Sequence, residues 1–223
     1  MHASLKRLRR DSVDLLQLHN RIAAHSGADR TLGIKPVLDE VIPALESLRK
    51  QKVTRFIGLT ALGETPMILR AIDSGAFDTA QVYYNMLNPS AARAMPRAWT
   101  GQDFGGVIAA CKRHDMGIMN IRVFASGVLA TNVRHGREVA LTENSDLRTE
   151  EARAASALKG MKQYGTGAQA AVRFSLGNPD LSCIVIGLAE LAHLEEAIAA
   201  CAMGPLPSPA MENLEAVYER NFG

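Results

Sequence analysis

Short apolar runs alternate along this chain with stretches of helical period, and the pattern predicts strand and helix in turn. The first run, Asp14-Leu15-Leu16-Gln17-Leu18-His19-Asn20 behind Val13, lacks the alternation of a half-solvated strand. It reads as a parallel strand buried on both faces. Before it, Leu5 and Leu8 stand among Lys6, Arg7, Arg9 and Arg10 like the last turns of a helix whose carbonyl end accepts positive charge. Residues 21–35, with Gly27 and Gly33, read as a loop. From Pro36, Val37, Val41, Leu45 and Leu48 recur at helical spacing with Asp39, Glu40, Glu46 and Arg49 opposite.

The alternation continues. Residues 54–60 form a strand, residues 65–74 a helix stopped by Gly75, and residues 79–84 a strand. A polar, proline-bearing loop at 85–102 leads to a helix around Val107, Ile108 and Cys111 and a strand at 117–124. Residues 125–147 read as a long loop, and Thr149 as the cap of a helix through Met161. A helix at 168–176, a strand at 182–187 and a helix marked by Leu191, Leu194, Ile198 and Cys201 follow. After the Pro205-Leu206-Pro207 break, Met211, Leu214, Val217 and Tyr218 line a closing helix.

Strand followed by helix, five times over, selects an α/β architecture with a parallel sheet and right-handed crossovers. The repeat is close to the ~31 residues per unit of a (β/α)8 TIM barrel. Five units stand where a closed barrel needs eight, so the expectation is a partial barrel forming one domain over residues 1–223. In such folds the carboxyl ends of the strands face the ligand, which singles out His19 and Asn20. Taken alone, a histidine beside apolar neighbours is more often a satisfied structural residue.

Composition narrows the function. With 25 Lys+Arg against 23 Asp+Glu the formal net charge is +2, so no strong field draws the chain to nucleic acid or an anionic membrane. Cys111, Cys183 and Cys201 are scattered and form no C-x-x-C pair, against a disulfide framework or a zinc site and in keeping with a cytoplasmic setting. No apolar run approaches the ~20 residues that span a bilayer.

Several stretches resemble one family. Ser4-Leu5-Lys6-Arg7-Leu8, then Asp11 and Val13 through His19, is similar to the SLKRLxxDyvDLlxlH segment of aldo-keto reductases. Arg55-Phe56-Ile57-Gly58-Leu59-Thr60 resembles that family's R-y-I-G-v-S-N, and Phe77 through Asn85 resembles its sixth strand. Ser126-Gly127-Val128-Leu129 looks like its G-x-L, and Val185-Ile186-Gly187 with His193-Leu194-Glu195-Glu196 looks like its v-i-p-G…h-L-e-E-N end. The resemblance implies a (β/α)8 barrel that holds NADP or NAD across its carboxyl face and moves hydride between NAD(P)H and a carbonyl or alcohol. It makes His19 the histidine that orients the carbonyl, with Asn20 beside it on the substrate side. It places Thr60 and Gln81 at the nicotinamide carboxamide, and Ser126, Gly127, Gly187 and Glu196 along the rest of the cofactor.

The departures from the family's pattern are specific. Its Asp, Tyr and Lys belong to the first three βα units, and no residue here matches them. Ala61 and Ala197 replace asparagines, Ile121 an aromatic residue, and Gly187 and His193 the Lys and Arg that clamp a 2′-phosphate in many NADP-dependent members. Arg134, His135 and Arg137 in the long loop are alternative phosphate contacts, and Tyr83 and Tyr84 read as core. Three expectations follow: a reductase whose start lies upstream, impaired in this form; a non-catalytic nucleotide-binding or interaction module; or a barrel completed by a partner chain. A barrel lacking three strands leaves unpaired edges, so self-association is also expected.

Overall fold

A computed structural model describes the chain apart from residues 29, 135, 137–141, 143 and 144, and apart from the side chain of His2. The chain divides into two compact units, Met1–Val82 with Gly106–Ile118, and Tyr83–Gly105 with Met119–Gly223.

In the first unit, helix α1 (His2–Leu8) buries Leu5 and ends at Arg9 in the left-handed region. Strand β1 (Val13–Leu18) pairs in parallel with β4 (Thr54–Ala61), from Val13 opposite Thr54 to Leu18 opposite Leu59. Strand β5 (Thr79–Tyr83) joins the other side of β4, from Gly58 opposite Thr79 to Ala61 opposite Val82. Flanked on both sides, β4 carries the core: Ile57, Leu59 and Ala61 are fully buried. The β1 run departs from expectation. Leu18 is buried, but Leu15 and Leu16 are only half-buried. The physical reason is position, because β1 is an edge strand with β4 as its one neighbour.

Residues expected as loop form two short strands, β2 (Arg21–Ala23) and β3 (Thr31–Gly33), paired in parallel. Buried Ile22 explains them, because its backbone also bonds Leu62 and Glu64. The next helix begins earlier than Pro36. It runs through α2 (Ile34–Pro36), a π-helical stretch Val37–Val41, and α3 (Ile42–Lys50). Pro43 lacks an N–H, so the regular ladder cannot run through it. Asp78 ties this helix to the sheet, accepting from Ile57 N at 2.8 Å and from Arg49 Nη1 at 2.9 Å. Helices α4 (Thr65–Asp73) and α5 (Val107–Arg113) bury Ile68, Ile72, Val107, Ile108 and Cys111.

In the second unit, β6 (Gly117–Ile121) pairs in parallel with β7 (Cys183–Ile184). The 182–187 strand is thus shorter than its apolar run, being an edge with Val185 and Leu188 exposed. The 85–102 segment, expected as a polar loop, is buried from Asn85 to Ala91. Its polar side chains replace a ladder. Asn85 Oδ1 accepts from Leu87 N and Asn88 N at 2.9 and 3.0 Å, and Asn88 Nδ2 donates to Gln102 O at 2.8 Å. Tyr83 stacks on Phe104 with centroids 5.0 Å apart and Tyr84 on Phe174 at 5.1 Å, so both tyrosines are core.

Helix α6 (Leu147–Leu158) is capped by Asp146, whose carboxylate accepts from Thr149 N at 3.0 Å. Thr149, expected as the cap, is the third helical residue; its hydroxyl donates back to Asp146. Helices α7 (Gly167–Leu176), α8 (Leu191–Met203) and α9 (Ser208–Glu219) complete the unit. In α8 the covered face is Ala197 and Ala200, while Leu191, Leu194 and Ile198 are exposed, the reverse of what apolar periodicity suggests. Small residues let α8 lie close on α7. Among the described residues no helix is long and apolar enough to cross a membrane, and no cluster of three or more His, Cys, Asp or Glu forms a metal site.

Gly63 is required by contact. At Gly63 φ is +119°, and a Cβ would lie 2.1 Å from Ile22 O. Gly63→Ala is expected to destabilise the first unit by about 1–3 kcal/mol or more through strain and loss of the Ile22 bridge. A lowered urea midpoint at unchanged m-value measures this; an unchanged midpoint contradicts it.

Candidate functional site

After β6 the backbone turns sharply. Arg122, Ala125, Ser126 and Gly127 all have positive φ, at 63°, 47°, 54° and 93°. Non-glycine residues hold such angles only where their surroundings over-determine them. Here Arg122 O accepts from Asn85 Nδ2 at 2.9 Å and from Ala125 N at 2.9 Å. Residues 125–127 form a single 3-10 turn, with Ser126 and Gly127 half-buried at its crest.

This turn is one wall of a cleft of about 540 Å³ in the second unit. The start of α7 supplies Ala168 and Val172, and the segment after β7 supplies Val185 to Ala189 with His193 and Glu196 from α8. Gly167 permits the approach, because a Cβ there would sit 2.3 Å from Leu129 O. Thr166 caps α7, accepting from Gln169 N at 3.1 Å while Gln169 Oε1 accepts from Thr166 N at 3.0 Å. The Thr166 hydroxyl also donates to Glu196 Oε1, which fixes that carboxylate at the cleft.

The structure therefore brings together Ser126, Gly127, Gly187 and Glu196 from segments far apart in sequence. A second pair meets in the first unit. Thr60 and Gln81 lie opposite each other in the β4–β5 ladder, and the buried Thr60 hydroxyl donates to Gln81 Oε1 at 2.9 Å. His19 is exposed just past the carboxyl end of β1. Asn20 spends its amide on structure, Nδ2 donating to Arg30 O at 2.8 Å. Arg134 is held by Glu151 at 2.8 Å, whereas His135 and Arg137 lie outside the described residues.

Three cleft components escaped the reading of the sequence. Arg122 and Phe124 seemed strand residues, and Thr166 had no assigned role. The signal for Thr166 was present in Thr166-Gly167-Ala168-Gln169, a capping-box pattern. Three of the four tyrosines are unsuited to proton transfer near neutral pH. Burial pushes Tyr84 up to about 12 and holds Tyr83 and Tyr218 well above the ordinary phenol range as well.

The size of the cleft and its apolar lining with a few convergent polar groups are those of a small-molecule pocket. The sequence matches the model of the aldo/keto reductase family over residues 1–219, and the chain belongs to that family. L-galactose dehydrogenase of Arabidopsis thaliana is 25% identical over 205 residues, a match covering 88% of this chain and 55% of that protein. The chain thus spans about half the length of that curated relative. The holo form of an aldo-keto reductase from Bacillus halodurans superimposes with a TM-score of 0.66 at 17% identity, over 100% of this chain and 68% of that one. An aldo/keto reductase from Klebsiella pneumoniae in complex with NADP and acetate gives 0.63 at 21% identity, over 98% and 63%. These likenesses establish the α/β fold with its parallel strands as that of the aldo-keto reductase barrels, here with β1 and β7 as open edges.

Thr166→Val removes both the α7 cap and the hydroxyl on Glu196. A stability loss of about 1 kcal/mol, read from chemical unfolding, is expected, whereas Thr166→Ser should lose much less. Equal losses in the two variants would contradict the capping role.

Proposed function

We propose that the second unit binds a nicotinamide dinucleotide in this cleft, and that the chain serves an NAD(P)H-dependent oxidoreductase acting on a carbonyl or alcohol. One observation carries the reading. Four residues selected for cofactor contact, Ser126, Gly127, Gly187 and Glu196, line a single cleft although they come from three separate segments. The residues fit the ligand chemically. The Arg122 guanidinium offers donors to phosphate, Val172, Val185 and Ile186 offer apolar contact, and Glu196 offers an acceptor for a sugar hydroxyl. Family membership and the NADP complex of the Klebsiella protein support it.

The bound cofactor supplies or accepts the hydride. Within the first unit, Thr60 and Gln81 form a polar pair able to meet an amide, the glutamine donating and accepting at once, and exposed His19 can donate a hydrogen bond to a carbonyl. Proton transfer needs a further group, which contributes about 10²–10⁴-fold. A nucleotide-binding module without turnover is the second reading, favoured because Tyr83, Tyr84 and Tyr218 are locked in the core with raised phenols.

Titration of the purified chain with NADH, followed by nicotinamide fluorescence, is expected to saturate. Gly127→Val forces an L residue to adopt φ near 93°, and should weaken binding at least about tenfold while thermal unfolding stays cooperative. Absence of saturable binding by the unaltered chain would refute the proposal.

A further inference from the structure

We infer that the exposed face of α8 is where two copies of this chain meet, the two helices lying antiparallel in a short, reversible dimer contact. This is independent of the nucleotide reading. A helix that is apolar around most of its circumference is normally enclosed. In α8 the buried residues are Ala197 and Ala200, while Leu191, Leu194 and Ile198 stand exposed. Together with exposed Cys201 these three recur at steps of three, four and three residues. That is the spacing of a two-helix seam, in which a side chain of one helix seats between side chains of the other. His193 and Glu196, which line the cleft, lie off this stripe.

The stripe is complementary to itself in one direction. With the helices antiparallel, Leu194 faces Ile198 of the second copy and Leu191 faces Cys201 of the second copy, and a twofold axis repeats both pairs. Charge selects that direction. Glu190, Glu195 and Glu196 stand at the start of α8 or just before it, and residues 197–203 carry no charged side chain. A parallel pair would bring the two Glu195 carboxylates together. The antiparallel pair sets each beside the uncharged half of the other helix and lays opposite helix dipoles side by side. Size sets the strength. The 13 residues of α8 make a helix about 20 Å long, a footprint short of the roughly 800 Å² per partner of a standard interface. Association is therefore expected in the micromolar range.

Sedimentation equilibrium of the whole chain from about 1 to about 200 μM is the test. The average mass should climb from monomer to dimer with a midpoint on the order of 10 μM. Ile198→Glu and Leu191→Glu change positions already exposed in the single chain. Each should weaken association at least about tenfold and leave the thermal midpoint of the dilute monomer unchanged. For the direction, Leu191→Cys in a Cys183→Ser background is oxidised with diamide and the linked peptides are mapped. A disulfide between the introduced thiol and Cys201 of the second copy is expected. A monomer at every concentration overturns the inference and leaves the stripe to a different partner, and a dimer untouched by both glutamates overturns the assignment to α8. A bond between the two introduced thiols overturns the antiparallel arrangement.

Discussion

Helix α7 is the constraint on which the second unit depends, because it holds the neighbouring chain at both of its ends. At its start the Thr166 hydroxyl is shared between the helix's own Gln169 amide and the Glu196 carboxylate of α8. Near its end the guanidinium of buried Arg173 donates to Gly204 O at 2.8 Å, Pro205 O at 2.9 Å and Tyr164 O at 2.6 Å. Hydrogen bonds to a charged group are worth about 1.5–3 kcal/mol each, against about 1 for neutral pairs. A cation whose donors meet only backbone carbonyls fixes geometry without a counter-ion. Between these two ends α7 packs on α8, which is thereby held as a wall of the cleft.

The other wall is held differently. The turn after β6 places Arg122, Ala125 and Ser126 in the left-handed region, an arrangement of order 1–3 kcal/mol per residue that the Asn85 amide and the local turn bonds sustain. Asn85 is itself fixed by the buried 85–91 segment. A packed helix pair faces a strained turn, and the ligand space lies between them. The turn side brings the Arg122 cation to the cleft, and the helix wall presents one oriented carboxylate.

Much of this was legible in the sequence. The five strands of the barrel pattern stand within a few residues of their apolar runs, and the resemblance around Ser126, Gly187 and Glu196 selected residues that meet in space. What failed has common physical causes. Periodicity shows that α8 has an apolar stripe but not which face is covered, and contact with α7 buries its alanines while Leu191 and Ile198 stay 70% and 60% exposed. The Val13–Leu18 run appears doubly buried because its residues are apolar, yet burial requires neighbours that an edge strand lacks. Polarity around Asn85, Asn88 and Ser90 suggested a solvated loop, whereas their side chains satisfy buried backbone groups. Asp146 outcompetes Thr149 as a cap because it stands one turn earlier, where the first free amides point.

The central claim is that two segments distant in sequence, one after β6 and one after β7, form a single nucleotide site braced by α7. Amide hydrogen exchange with and without saturating NADH tests it most directly. Slowed exchange in both 122–131 and 185–197, together with the start of α7, is the predicted result. Protection in one of these segments without the other, or protection confined to residues outside them, would contradict it.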